Sequence, residues 1–282
     1  MGATCLGPHP TGATLSALSS RTPLLLLLAP TPALLGGLFV LEHVQADGKL
    51  LAIQAFLFLA TMGIYAWAGA RRPPHRNLPL GVMCLALAAL WAPLAVQQSD
   101  TPSRWLQLGN LKLYAASAVL PPALFAFSHA LHVEARRPLM LGLALSALLA
   151  LALQPDAPQA TAFALAVALP IARTRLRPLI RAAVLGALIA GSALAWVPPD
   201  PLRPVPWVEG VLEVASGAGW VPLALAVVAL AILPLGVGLW AFRSRQWAFL
   251  PVAIYYGVLL AFGAAQLTPV PLMGFGAGPI LG

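Results

Sequence analysis

Apolar residues run along this chain in nine long blocks, 23–41, 50–70, 78–96, 111–133, 139–154, 160–176, 179–197, 220–242 and 247–266. Roughly 20 apolar residues cover the hydrocarbon of a bilayer, so the pattern predicts nine membrane-spanning helices rather than the one-sided stripes of a soluble bundle. The polar breaks between blocks are short. Arg71-Arg72-Pro73-Pro74-His75-Arg76 and Glu134-Ala135-Arg136-Arg137-Pro138 read as tight turns on one side. Gln154-Pro155-Asp156-Ala157-Pro158 reads as a tight turn on the other, with proline ending one helix and starting the next. Two longer connections share that second side, Gln97 to Asn110 and Pro198 to Gly219, and the latter carries Trp207, Glu209 and Glu213 in a stretch that suits a short interfacial helix. Beyond the ninth block, residues 268–279 hold too much Gly and Pro for a regular helix and predict a re-entrant or surface loop. The expected fold is an all-α, polytopic transmembrane helical bundle of about nine spans, with a tail over 1–22 and a single domain over 23–282.

Charge orients this bundle. Alternating the spans from a cytoplasmic N-terminus places Arg21 and the arginines of the 71–76, 136–137, 173–181 and 243–245 clusters inside, twelve in all. Only Lys49, Arg104, Lys112 and Arg203 fall outside, and of the eight acids Glu134 alone falls inside. The positive-inside rule then predicts an inner N-terminus and an outer C-terminus in a bacterial cytoplasmic membrane. A composition 60% hydrophobic and 9% charged is far from that of soluble domains. The net charge of +8 does not indicate nucleic acid, because it sits in short clusters at span ends. Cys5 lies in the tail and Cys84 within the third block, too far apart in the map for a disulfide. Residues 21–37 follow a long tail and read as an uncleaved first helix rather than a signal peptide. Fourteen Arg against two Lys fits a GC-rich bacterial genome.

Candidate chemistry gathers on the outer side. Asp100, Arg104 and Trp105 bracket the fourth block, Asp156 occupies a turn facing the same way, and Arg203, Glu209 and Glu213 belong to the long loop. A carboxylate beside a lipid-accessible groove suits a general base acting on a sugar hydroxyl, and an arginine suits a pyrophosphate leaving group. From spacing alone, these charges read first as the polar ends of helices. His129 and His132 share a helix face, but no further His, Cys or carboxylate lies at their depth, so no metal site is expected. No ionisable residue lies at mid-span, where an ion relay would need one.

The segment Ser103-Arg104-Trp105-Leu106-Gln107-Leu108-Gly109 resembles the R-W-L-x-L-G outer loop of the SEDS family (shape, elongation, division and sporulation), which includes FtsW and RodA. Leu153-Gln154-Pro155-Asp156 is similar to that family's Q-P-D turn, Gly219-Trp220-Val221 to its entrance to span eight, and Thr268 to Ala277 to its terminal G-x-P-L-P-F-x-S-Y-G-G motif. The four occur in order, over spans two to nine. The resemblance implies a role in peptidoglycan synthesis during cell division or cell-shape maintenance. Such proteins polymerise lipid II, an undecaprenyl-linked substrate, as glycosyltransferases beside a class B penicillin-binding protein. On this resemblance the expected substrate-binding residues are Arg104, Trp105, Asp156 and Arg203. The expected partners are lipid II, a class B penicillin-binding protein or other cell-wall synthesis proteins, and membrane lipids, with no nucleic acid. No cofactor is expected beyond a divalent cation if the chain is active.

The chain departs from the family pattern at its catalytic positions. The family's catalytic Asp falls at about Val208, and the nearest acid, Glu209, is one position off. A Q-P-S-E segment with a following Lys becomes Tyr114-Ala115-Ala116-Ser117 with Leu120, the paired acids before span eight become Ser216-Gly217, and the family's tenth span does not follow. Glu209 is therefore the candidate base of a divergent polymerase. Joint loss of an acid and its basic partner suits a relaxed site, because losing one alone strands a buried charge. A non-catalytic scaffold of a divisome or elongasome complex, and a transporter of lipid-linked substrate, are the competing expectations.

Overall fold

The structure, a computed structural model, describes residues 28–43, 45, 48–69, 77–96, 103–108, 111–199 and 205–274. It is mostly helical. Among these residues the helices are α1 (Thr31–His43), α2 (Gly48–Gly69), α3 (Leu78–Ala95), α4 (Ala115–Ala130), α5 (Arg137–Leu153), α6 (Ala157–Arg173), α7 (Pro178–Ala195), α8 (Val211–Gly217), α9 (Trp220–Ser244) and α10 (Leu250–Ala264). Each of the nine apolar blocks holds one helix, and the short α8 occupies the stretch that suited an interfacial helix. Five helical stretches are long and apolar enough to cross a membrane: Leu78–Ala95, Glu134–Leu153, Pro178–Ala195, Trp220–Ser244 and Trp247–Ala264.

One predicted boundary is corrected. The block expected to span over 111–133 is helical only from Ala115, because Leu111–Tyr114 forms a strand, β2, antiparallel to β1 at Trp105–Leu108. Trp105 pairs with Tyr114 and Leu108 with Leu111. The signal was present: Leu111-Lys112-Leu113-Tyr114 alternates, and Gly109-Asn110 is a hairpin dipeptide. Average hydrophobicity outweighed it. The hairpin is tied to the helix behind it, with the Ala115 amide donating to the Arg104 carbonyl at 3.3 Å. The family of folds expected as all-α thus carries a two-stranded element at one end.

The main core lies between α3, α4, α5, α6, α7 and α10, around Leu90, Leu120, Phe127, Met140, Leu151, Phe163 and Tyr255. Alanines fill the helix contacts, including Ala123, Ala126, Ala147, Ala160 and Ala166, and small side chains let backbones approach closely where lipid gives little hydrophobic drive. A second cluster joins α1, α8, α9 and the segment after α10 through Leu34, Val211, Leu230, Leu272 and Met273. Leu233 packs against both clusters.

The connections sort into two ends. At one, Arg136 donates to Asn77 Oδ1 at 2.9 Å, Arg137 donates to the Arg175 carbonyl at 3.4 Å, and the Arg173 guanidinium lies 4.7 Å from the Trp247 ring centre. At the other, Trp196 donates to Thr161 at 3.0 Å, the Val270 amide donates to the Val208 carbonyl at 3.0 Å, and Gln266 donates to Glu213 at 2.8 Å. Turns that charge counting assigned to a common side therefore meet one another, as an up-and-down helix order requires.

Close approach at one glycine has a measurable consequence. A Cβ on Gly37 would collide with the Met273 carbonyl oxygen and stand 3.1 Å from Gln54 Nε2, whereas one on Gly186 meets nothing within 4 Å. Gly37→Ala is expected to destabilise by about 1–3 kcal/mol, the usual penalty of forcing atoms into a packed contact. Gly186→Ala should be neutral or stabilising by up to about 1 kcal/mol, the helix-propensity difference. Thermal unfolding of both variants in one detergent checks the contrast, and equal melting points would contradict the packing of α1 on the segment after α10.

Candidate functional site

The polar residues of the second end converge where the hairpin meets the turn between α5 and α6. The last carbonyls of a helix have no partner within it. Here Arg104, 6% exposed, supplies one: its Nε donates to the Gln154 carbonyl at 3.1 Å and its Nη2 to the Pro155 carbonyl. A cation at a helix C-terminus also opposes the negative end of the helix dipole. Gln154 is itself buried and donates from Nε2 to the Leu90 carbonyl at 2.5 Å, tying the turn to α3. Asp156 occupies the position just before α6 without a side-chain bond to its first amides, and it is 1% exposed. Its Oδ2 accepts the Tyr114 hydroxyl at 2.5 Å, and the Tyr114 ring packs against Trp105 at 5.2 Å between centres.

Behind this pair, the Tyr255 hydroxyl donates to Gln159 Oε1 at 2.5 Å. Tyr114, Ser117, Gln159, Tyr255, Tyr256 and Pro269 line a small cavity of about 10 Å³. That is room for about one water. Burial, reinforced by the adjacent Asp156 carboxylate, pushes the Tyr114 phenol in the hairpin well above its usual pKa. The phenol thus stays protonated and keeps donating. A folded pKa raised above the unfolded value contributes stability that is complete below about pH 10 and is lost as pH rises further. The chain should accordingly lose stability above about pH 10, with the slope reduced by up to about 1.4 kcal/mol per pH unit in Tyr114→Phe. Alkaline melts of parent and variant that stay parallel would refute the assignment.

Glu209 lies in a turn of its own. Its Oε2 accepts the Val205 amide at 2.8 Å, while the Val205 carbonyl accepts the amides of Val208, Glu209 and Gly210. The carboxylate is half-buried. The turn reaches the cavity only indirectly, because the Val208 carbonyl holds Val270 between Pro269 and Pro271, two of the lining residues. A Cβ on Gly274 would collide with that same Val208 carbonyl, so the backbones are in close contact there.

The structure therefore brings Arg104, Trp105 and Asp156 into one cluster and links the Glu209 turn to it through the segment after α10. Arg203 and Asp100 lie outside the described residues. Tyr114, Gln159, Tyr255 and Tyr256 were not among the expected site residues. The signal for the three tyrosines was a polar group inside an apolar block, which must find a partner in a dry interior, whereas Gln159 falls just before the block that starts at 160. Chemically the cluster holds Asp156 and Arg104 fixed in hydrogen bonds to the chain. Among the described residues no group of three or more His, Cys, Asp or Glu is gathered to hold a metal ion. Comparison of the chain with protein-family models, with curated proteins and with solved structures finds no match.

Proposed function

We propose that this chain is a multi-pass protein of the bacterial cytoplasmic membrane, SEDS-like in its outer motifs, that serves peptidoglycan synthesis as a non-catalytic scaffold. The helices long enough to cross a membrane support the multi-pass part. The family part rests on the four ordered motifs, three of which contribute residues to the cluster or to the segment against it: Arg104 and Trp105, Gln154 to Asp156, and Pro269 to Met273.

The observation that carries the scaffold reading is the state of the two acids. Asp156 is buried under the Tyr114 hydroxyl, and the Glu209 carboxylate accepts a backbone amide of its own turn. A general base must reach the proton it removes. Asp156 is shut away from any such proton, and Glu209 commits a carboxylate oxygen to its own turn. The expected partner is a class B penicillin-binding protein or another cell-wall synthesis protein, and lipid II is the substrate to be tested. Purified chain, alone and with that penicillin-binding protein, should bind the partner yet form no polymer from lipid II. Polymer formation would replace the scaffold by a polymerase, with Glu209 as base and Arg104 and Arg203 holding phosphate.

Orientation is testable separately. Reporter fusions after Arg72 should read as cytoplasmic and fusions after Asp100 as outer, the direction required by twelve inner basic residues against four outer ones. Identical readings at the two sites would break the nine-span map.

A further inference from the structure

We propose that the arginine-rich end of the bundle is a binding surface for anionic phospholipid, with the lipid phosphate held by guanidinium groups of the α6–α7 and α9–α10 turns. Arg173, Arg175, Arg177, Arg243 and Arg245 are all exposed there. They are not scattered. The Arg173 guanidinium sits over the Trp247 ring, joining the end of α6 to the turn that carries Arg243 and Arg245, and Arg137 donates to the Arg175 carbonyl, joining the α6–α7 turn to the start of α5. Three connections thus form one cationic surface. Among the described residues of this end the acid is Glu134, whose carboxylate already pairs with Arg137 at 3.2 Å. Among the described residues none of the five exposed arginines is paired with a carboxylate, so their charge is available to an external anion.

The surface also selects the kind of anion. Guanidinium forks match phosphate oxygens through paired hydrogen bonds. Leu179, 81% exposed, and Ile180 follow Arg177 after Pro178, and Phe242, also exposed, precedes Arg243. Charge and bare apolar surface are contiguous on both turns. A ligand that satisfies both carries a phosphate and hydrocarbon chains, which free phosphate and nucleic acid lack. Basic pockets between membrane helices hold acidic headgroups for this reason. The proposal is independent of any cell-wall role and stands on the placement of the arginines alone.

Native mass spectrometry of the full chain from detergent tests it, with phosphatidylglycerol and phosphatidylcholine offered in equal amounts. Each arginine near an anionic surface is worth roughly fivefold in association. The parent should retain phosphatidylglycerol over phosphatidylcholine by about fivefold or more, and added salt should erode that preference. The triple variant Arg175→Gln, Arg177→Gln, Arg245→Gln should fall to near parity, while the same three positions changed to Lys should keep only part of it, because an ammonium supplies the charge but not the fork. Equal retention of both lipids by the parent would overturn the proposal, as would an undiminished preference in a Gln variant with parental helix content. Should the Gln variant lose helix content, a parental preference unaffected by salt would overturn it instead. Displacement of phosphatidylglycerol by inorganic phosphate at matched ionic strength would show a phosphate-ion site and refute the lipid surface.

Discussion

Arg104→Ala is expected to destabilise the bundle by about 3 kcal/mol, since two charge-assisted bonds at about 1.5–3 kcal/mol each are removed from one buried and one partly buried carbonyl. For a chain of this size that corresponds to a fall in melting temperature of at least about 6 °C. The guanidinium reaches both the Gln154 and Pro155 carbonyls and is largely shielded from solvent at 6% exposure. Arg104→Lys should recover less than half of the loss, because a single ammonium cannot reproduce the fork. Thermal unfolding in detergent distinguishes this from a substrate contact. A residue kept only to hold phosphate would leave the melting temperature unchanged when removed.

Turnover is the second large effect. A positioned general base is worth roughly 10²–10⁴-fold in rate, and Glu209 is the acid nearest the position where the SEDS pattern has its catalytic Asp. Its carboxylate instead accepts the Val205 amide at 2.8 Å. On the proposed scaffold reading, lipid II polymerisation by the chain mixed with a class B penicillin-binding protein should stay at background, and Glu209→Gln should change neither that background nor any binding between them. Glu209→Ala, which leaves the Val205 amide without its acceptor, should loosen the turn and the Val208–Val270 contact, weakening partner binding. A parent that polymerises lipid II and loses about 10²-fold or more in Glu209→Gln would establish Glu209 as the base and end the scaffold reading.

The helices themselves were legible because lipid-facing and core-facing positions are both apolar in such a chain. Leu78–Ala95 and Trp220–Ser244 follow from run length alone, and the blocks expected to start at 160 and 179 begin in the structure within three residues of those positions. Run length failed at Leu111–Tyr114, where alternation and a Gly-Asn pair specified a strand inside an apolar block. The grouping of the turns was also legible, since alternation of spans must return every second connection to one end.

What the amino-acid order by itself determined is thus the set of helices, their succession and the ends at which charge collects, all local properties of composition along the chain. Only the tertiary structure decided which polar side chains satisfy which backbone groups. Arg104 and Gln154 are 50 residues apart, Tyr114 and Asp156 are 42 apart, and Tyr255 and Gln159 are 96 apart. No periodicity relates them. They meet because buried donors and acceptors must be paired once the helices pack, and packing of side chains from distant segments selects the partner.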